Sequence, residues 1–326
     1  MKKAVPVMIL IWMLFAHPVM GDGKKPLVVA TIGPLAAIVE DAFGDSVDVV
    51  YLIPLGADPH EYQLSAEQIA LLQRADVVVT TGGHLPVEKK IEELKSEGSI
   101  GGEVLFLDEY AAEGFRYLPE HWYTGKDNPH GVWLDPQNAL AIARAVEKAL
   151  KSRDPANALT YQTKYENFEA RVNVIVTSYR HLVEGNHTAV IQMPSCQYAL
   201  EWLGIKPVAS IKPEEEVPAV GADELLSVAK SVDIIVYMRE SPEQMKESAR
   251  ELASKSGRPL AEITVFWSDR PYTEVLIENS AAILKALEGK TCTSAPAARG
   301  NVTRYAVISL LVGLTLGTAF GVLLKK

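Results

Sequence analysis

The chain has 326 residues, 48% of them hydrophobic, with a formal net charge of −9 and two cysteines. This is enough apolar material for a large core and, by length, for two domains. The acidic balance argues against nucleic-acid binding and suits a surface that meets cations, while Cys196 and Cys292 permit at most one disulfide, in an oxidising compartment.

Residues 1–21, "MKKAVPVMILIWMLFAHPVMG", carry two lysines, an apolar stretch and then small residues, the pattern of a secretory signal peptide without a lipid-attachment cysteine. Its removal takes the charge from −9 to −11, because Lys2 and Lys3 leave and no acid precedes Asp22. Strand-like runs follow at 26–31, 47–53, 75–81 and 103–108, with helical patterns between them. The helix after Leu64 has Ser65 as its cap, Gln68 to close a capping box and Ile69 to staple Leu64. A further helix opens at Asp135-Pro136. This alternation predicts an α/β lobe over 22–153, a mostly parallel sheet flanked by helices.

Residues 154–185 hold apolar side chains at helical spacing (Leu159, Tyr165, Phe168, Val172, Ile175, Val176, Tyr179 and Leu182), with no glycine or proline inside the repeat. Such a helix, about 45 Å long, reads as a stiff link between two α/β units. The strand series then restarts at 188–193, 206–211, 233–238 and 260–266, with a helix opening at Ser241-Pro242 and a last one at 272–288, giving a second α/β lobe over 186–289. Residues 290–304 are small and polar, as a flexible stalk is. Residues 305–324 are about twenty apolar positions, long enough to span a bilayer, and Lys325 and Lys326 favour an inside C-terminus. The chain therefore reads as a body outside the cell on a single C-terminal anchor, with glycosylation sequons at Asn186 and Asn301.

The residues that carry chemistry lie in two tetrapeptides, Asp58-Pro59-His60-Glu61 and Asn128-Pro129-His130-Gly131. Proline stiffens each loop and pushes the residue before it towards an extended shape. Well-aimed imidazoles suit a borderline transition metal. His84 also follows a strand and can reach the same end of the sheet, where ligands gather in open α/β sheets. Trp122, Trp133, Trp202 and Trp267 read as packing, His181 as surface, and His187 as a loop residue.

In their order along the chain, "PLGADPHEYQLSAEQIALLQRADVVVTTG" (54–82), "NPHGVWLDPQNALAIARAVEKAL" (128–150), the long helix and 214–257 resemble the zinc/manganese solute-binding proteins of ABC importers. The resemblance covers roughly residues 26–289. It implies two lobes joined by one long helix, with a Zn2+ or Mn2+ cargo held between them for an ABC permease and its ATPase subunit. It also implies a monomer that is not an enzyme. His60 and His130 fall on the family's two N-lobe histidines. Met193 occupies the position of a third ligand, usually histidine or glutamate, with Cys196 three residues on as a thiolate candidate unless it pairs with Cys292. Asp269 is the aspartate left for the last ligand, and the histidine-rich loop of some members is reduced here to His121. Ligation by imidazole predicts that affinity falls as pH drops through about 6.5, the free histidine value. Other readings are a binder of a metal chelate or corrinoid, a surface adhesin that keeps the fold, and a metal-dependent hydrolase. No HExxH or nucleophile elbow supports the last.

Overall fold

The apolar runs form two four-stranded parallel sheets in a computed structural model that describes residues 24–214 and 217–289. The signal segment, the stalk, the apolar segment 305–324, Cys292 and Asn301 lie outside the described residues. Among the described residues no helix is long and apolar enough to cross a membrane. Contacts divide the chain into two compact units. The first comprises 24–116, 137–173 and 267–272; the second comprises 117–136, 174–266 and 273–289, within the described residues.

In the first unit the strands are β1 (Leu27–Ile32), β2 (Asp48–Ile53), β3 (Val77–Val79) and β4 (Glu103–Leu105), in the order β2-β1-β3-β4 and all parallel. β1 and β3 are buried almost throughout, which is why they read as unbroken apolar runs and do not alternate. The helices are α1 (Gly33–Phe43), α2 (Ala66–Arg74), α3 (Pro86–Ser96), α4 (Leu107–Ala111) and α5 (Pro136–Arg153). Leu72 of α2 and Ile91 and Leu94 of α3 pack with Val29, Leu52, Val78 and Val104 in one core. α2 starts as its sequence dictates. Ser65 accepts from the Gln68 amide, and the Gln68 side chain returns to the Ser65 backbone.

The long helix, α6, runs over Ala158–Leu182, 25 residues after a short turn at 155–157. That is about 38 Å, shorter than the sequence suggests. Its buried residues are Tyr161, Tyr165, Phe168, Val172 and Ile175, three or four apart, whereas Leu159 is 75% exposed and stands outside the stripe. Its first part belongs to the first unit and its last turns, from Val174, to the second.

The second unit contains a short antiparallel pair, β5 (Leu118–Pro119) and β6 (Asp127–Asn128), and a sheet of β7 (His187–Ile191), β8 (Ile205–Ser210), β9 (Ile234–Met238) and β10 (Leu260–Ile263). The sheet order is β10-β9-β7-β8, again parallel. Its helices are α7 (Gln197–Leu200), α8 (Ala222–Ala229), α9 (Glu243–Ser256) and α10 (Tyr272–Glu288). Leu225, Ala229, Ala249 and Leu252 of α8 and α9 cover Val190, Ile235 and Tyr237 of the sheet.

Three details differ from the sequence reading. Residues 117–136, assigned there to the first lobe, belong to the second unit. The Tyr198 hydroxyl accepts from Leu118 N at 2.8 Å and donates to Asn128 O at 2.5 Å, and Gln197 Nε2 donates to Pro119 O. Ser241 does not cap α9; its hydroxyl donates to the buried Gln192 Oε1 at 2.6 Å. His187 is the first residue of β7, not a loop residue.

Candidate metal centre

Both sheets change winding direction next to their first strand. In the order β2-β1-β3-β4 the switch lies between β1 and β3, and in β10-β9-β7-β8 between β7 and β9. Loops leaving such neighbours diverge and open a crevice at the C-terminal strand ends. Of the candidate residues, His84 follows β3 and Met193 and Cys196 follow β7 at these points, while His60, His130 and Asp269 lie on other loops.

In the first unit, His60 sits on the loop between β2 and α2. Its amide donates to Asp58 Oδ1 at 2.9 Å, closing a turn around Pro59. The loop is pinned by one side chain of α2: Gln68 Nε2 donates to Leu52 O at 2.6 Å and to the Tyr62 hydroxyl at 3.0 Å. His84 leaves the end of β3. The two rings, both half-buried, lie with centroids 6.3 Å apart and planes inclined by 47°. Two imidazoles on one tetrahedral zinc have centroids roughly 5 Å apart, given Zn–N of about 2.0–2.1 Å, so the observed separation is about 1 Å wider than a shared ion requires.

Asp269 lies in the same unit, on the segment 267–272. Ser268 Oγ meets the Tyr51 hydroxyl at 3.1 Å, and Gly33 approaches Trp267 so closely that a Cβ there would sit 2.4 Å from its carbonyl oxygen. The segment thus crosses the C-terminal ends of β1 and β2. The Asp269 side chain is 78% exposed and stands 3.8 Å from Arg270 Nε. Within each unit, the described residues bring together no group of three or more His, Cys, Asp or Glu side chains placed to hold a metal.

His130 belongs to the second unit. Its loop repeats the design of the first, because its amide donates to Asn128 Oδ1 at 2.9 Å. Here the side chain does more. Asn128 Nδ2 donates to Pro194 O at 2.9 Å and to Gln197 Oε1 at 2.8 Å, so the amide oxygen must face the histidine. That oxygen stands 3.3 Å from His130 Nδ1. An acceptor at that nitrogen favours the Nδ1–H tautomer, with the lone pair on Nε2. The sequence does not identify this acceptor. The available signal is the Asn two residues before His130.

The positions inherited for a third ligand are weak. Met193 is half-buried, and its carbonyl accepts from Cys196 N at 3.0 Å. Cys196 is fully buried, and burial pushes its thiol up to about 12. In the metal-free chain Cys196 is therefore a neutral thiol that packs as a small buried hydrophobe. In a Cys292→Ser background, Cys196 is expected to resist a thiol reagent at pH 8 in the folded chain and to react fully in urea; rapid labelling of the folded chain would contradict this burial. The same shift has a sign for stability. The unfolded thiol ionises above roughly 8.5 while the folded one stays neutral, so stability is lost as pH rises from there. A carboxylate that sequence reasoning missed lies at the other side of this switch point. Glu240, two residues past β9, is exposed at the surface but accepts from Val265 N at 2.9 Å, and partial desolvation raises its pKa above the usual carboxylate value.

Donors of this kind, imidazole nitrogens with carboxylate oxygens, suit zinc and, with more oxygen, manganese. The family model for the zinc-uptake complex component A, periplasmic (ZnuA), matches residues 28–286. The chain belongs to the ZnuA family. Among relatives, a metal ABC transporter substrate-binding lipoprotein, ScbA of Streptococcus cristatus, is 30% identical over 161 residues, 47% of this chain and 49% of that protein. The manganese ABC transporter substrate-binding lipoprotein PsaA of Streptococcus anginosus is 28% identical over 189 residues, 53% of this chain and 59% of its own length. The chain thus spans about half the length of the curated relatives it matches. A ZnuA crystal structure superposes with a TM-score of 0.66 at 20% identity, over 81% of this chain and 100% of that one. A manganese-bound periplasmic metal-binding protein from Candidatus Liberibacter asiaticus gives 0.64 at 18%, with the same coverage. The ZnuA-family fold is therefore the architecture described above: parallel sheets flanked by helices, with one long helix running through both units.

Proposed function

We propose that this ZnuA-family chain captures a divalent transition-metal ion, zinc or manganese, outside the cell and delivers it to an ABC permease with its ATPase subunit. The observation that carries this reading is the repeated Asx-Pro-His loop, in which the Asp58 or Asn128 oxygen holds the amide of His60 or His130. His60 and His130 are the principal ligands, Asp269 supplies a carboxylate, and His84 adds a further imidazole. The apolar segment 305–324 tethers the body to the outer face of the membrane, and the chain acts as a monomer. Neutral imidazoles and a carboxylate bind the cation as cargo, so no reaction step follows binding.

Elemental analysis of the purified chain tests this reading. One zinc or manganese per chain is expected. A metal-free preparation holding an organic or coloured ligand would support a chelate or corrinoid binder instead.

A further inference from the structure

His84 hangs on a buried relay. Its Nδ1 stands 3.1 Å from Thr81 Oγ1, and Thr81 Oγ1 stands 2.8 Å from Glu88 Oε2. Glu88 is completely buried in the first turn of α3. Its Oε1 accepts from Thr31 Oγ1 at 2.8 Å and from Thr81 N at 2.6 Å. Its Oε2 accepts from Gly83 N at 2.9 Å and, more distantly, from Leu85 N at 3.5 Å.

The direction of the relay follows from counting protons. A threonine hydroxyl has one proton and two lone pairs. Backbone N–H groups can only donate, and Oε2 already faces two of them, so a proton on Oε2 would sit where donors converge. Burial raises the Glu88 pKa against these hydrogen bonds. Both threonine hydroxyls and three backbone amides nevertheless donate into the two carboxylate oxygens, so Glu88 acts as the acceptor. The Thr81 proton therefore goes to Glu88, and the remaining Thr81 lone pair faces His84 Nδ1, which must then donate.

We infer that Thr81 and Glu88 are positioning residues that hold His84 as its Nδ1–H tautomer, so that its Nε2 lone pair serves a divalent metal ion alongside His60. This inference rests on the proposed metal capture and extends it to residues that touch no metal. The buried carboxylate orients the hydroxyl, the hydroxyl orients the ring, and the ring meets His60 at 6.3 Å between centroids. Acceptors behind a metal-binding imidazole fix its tautomer and raise its basicity.

The test uses the full-length, histidine-labelled protein. Long-range proton–nitrogen correlation spectra of the metal-free state report the His84 tautomer, assigned by loss of its signals in His84→Gln. Zinc titration then reports affinity. The wild type is expected to show Nδ1–H alone, and Thr81→Ser is expected to keep it. Thr81→Val is expected to lose the single tautomer and to bind zinc roughly 10-fold more weakly. An Nε2–H tautomer in the wild type, or an unchanged spectrum in Thr81→Val, would overturn the inference. Unchanged zinc affinity in both Thr81→Val and His84→Gln would also overturn it, by removing His84 from the ligand set. Failure of the wild type to bind zinc or manganese would instead contradict metal capture itself, and the metal-free spectra would still decide the tautomer.

Discussion

Replacing His60 or His130 by alanine is expected to weaken zinc binding by about 100-fold or more while leaving the fold intact. The first part follows from coordination chemistry. Loss of a group that merely orients a ligand costs about 10–100-fold in metal affinity, and loss of the ligand costs at least the upper end of that range. The second part follows from how the loops are built. The bond that shapes each turn runs from the histidine amide to Asp58 or Asn128, and an alanine amide makes the same bond. Neither ring is buried in a core. Thermal unfolding of the metal-free variants should therefore match that of the wild type, and an affinity loss accompanied by unfolding would point to a structural role.

Gly131→Ala is expected to do the reverse, acting on stability first and on binding as a consequence. Gly131 has φ of +78°, in the left-handed region, and a Cβ there would lie 2.3 Å from Ser195 O and 2.9 Å from Ser195 Cα. Those are backbone atoms, which cannot swing aside as a side chain can. They are also held in place, because Pro194 O is tied to Asn128 Nδ2. The left-handed backbone costs about 1–2 kcal/mol in a residue with a Cβ, and the overlap adds strain, for a total of about 3 kcal/mol or more. Denaturant unfolding of the metal-free chain measures this directly. A midpoint equal to wild type would show that the loop on Ser195 yields easily. Because His130 adjoins the substituted residue, a displaced loop also carries the imidazole away from its Asn128 acceptor.

Much of the architecture is legible in the residues because the signals are local. The capping box at Ser65 and Gln68, the apolar runs of β1 and β9, and the 25-residue helix α6 each depend on neighbours within a few positions. What escapes sequence reading depends on distant partners. Ser241 carries every mark of a helix cap, yet a buried glutamine on the neighbouring strand end captures its hydroxyl. The segment 117–136 lies ahead of α5 in the chain but is stitched to α7 by Tyr198 and Gln197. Leu159 has helical spacing and is exposed, since spacing alone does not say where a stripe begins.

The candidate site divides in the same way. His60 and His130 stand out because each follows a proline in a repeated motif, and His84 because it follows a strand. Their supporting groups do not stand out. Glu88 reads as an ordinary acid in the first turn of a helix, and only the fold reveals that its carboxylate is buried beneath Thr31, Thr81 and Gly83. Cys196 is the converse case: its spacing from Met193 invites a ligand role, and only the fold shows that its thiol is completely buried, with its pKa raised by that burial in the metal-free chain.

Calorimetric titration of metal-stripped protein with zinc, comparing the wild type with His60→Ala and His130→Ala, tests most directly whether these two histidines serve one ion. A single tight site per chain is expected in the wild type, with loss of that site in either variant. One tight zinc per chain surviving in both variants would contradict it.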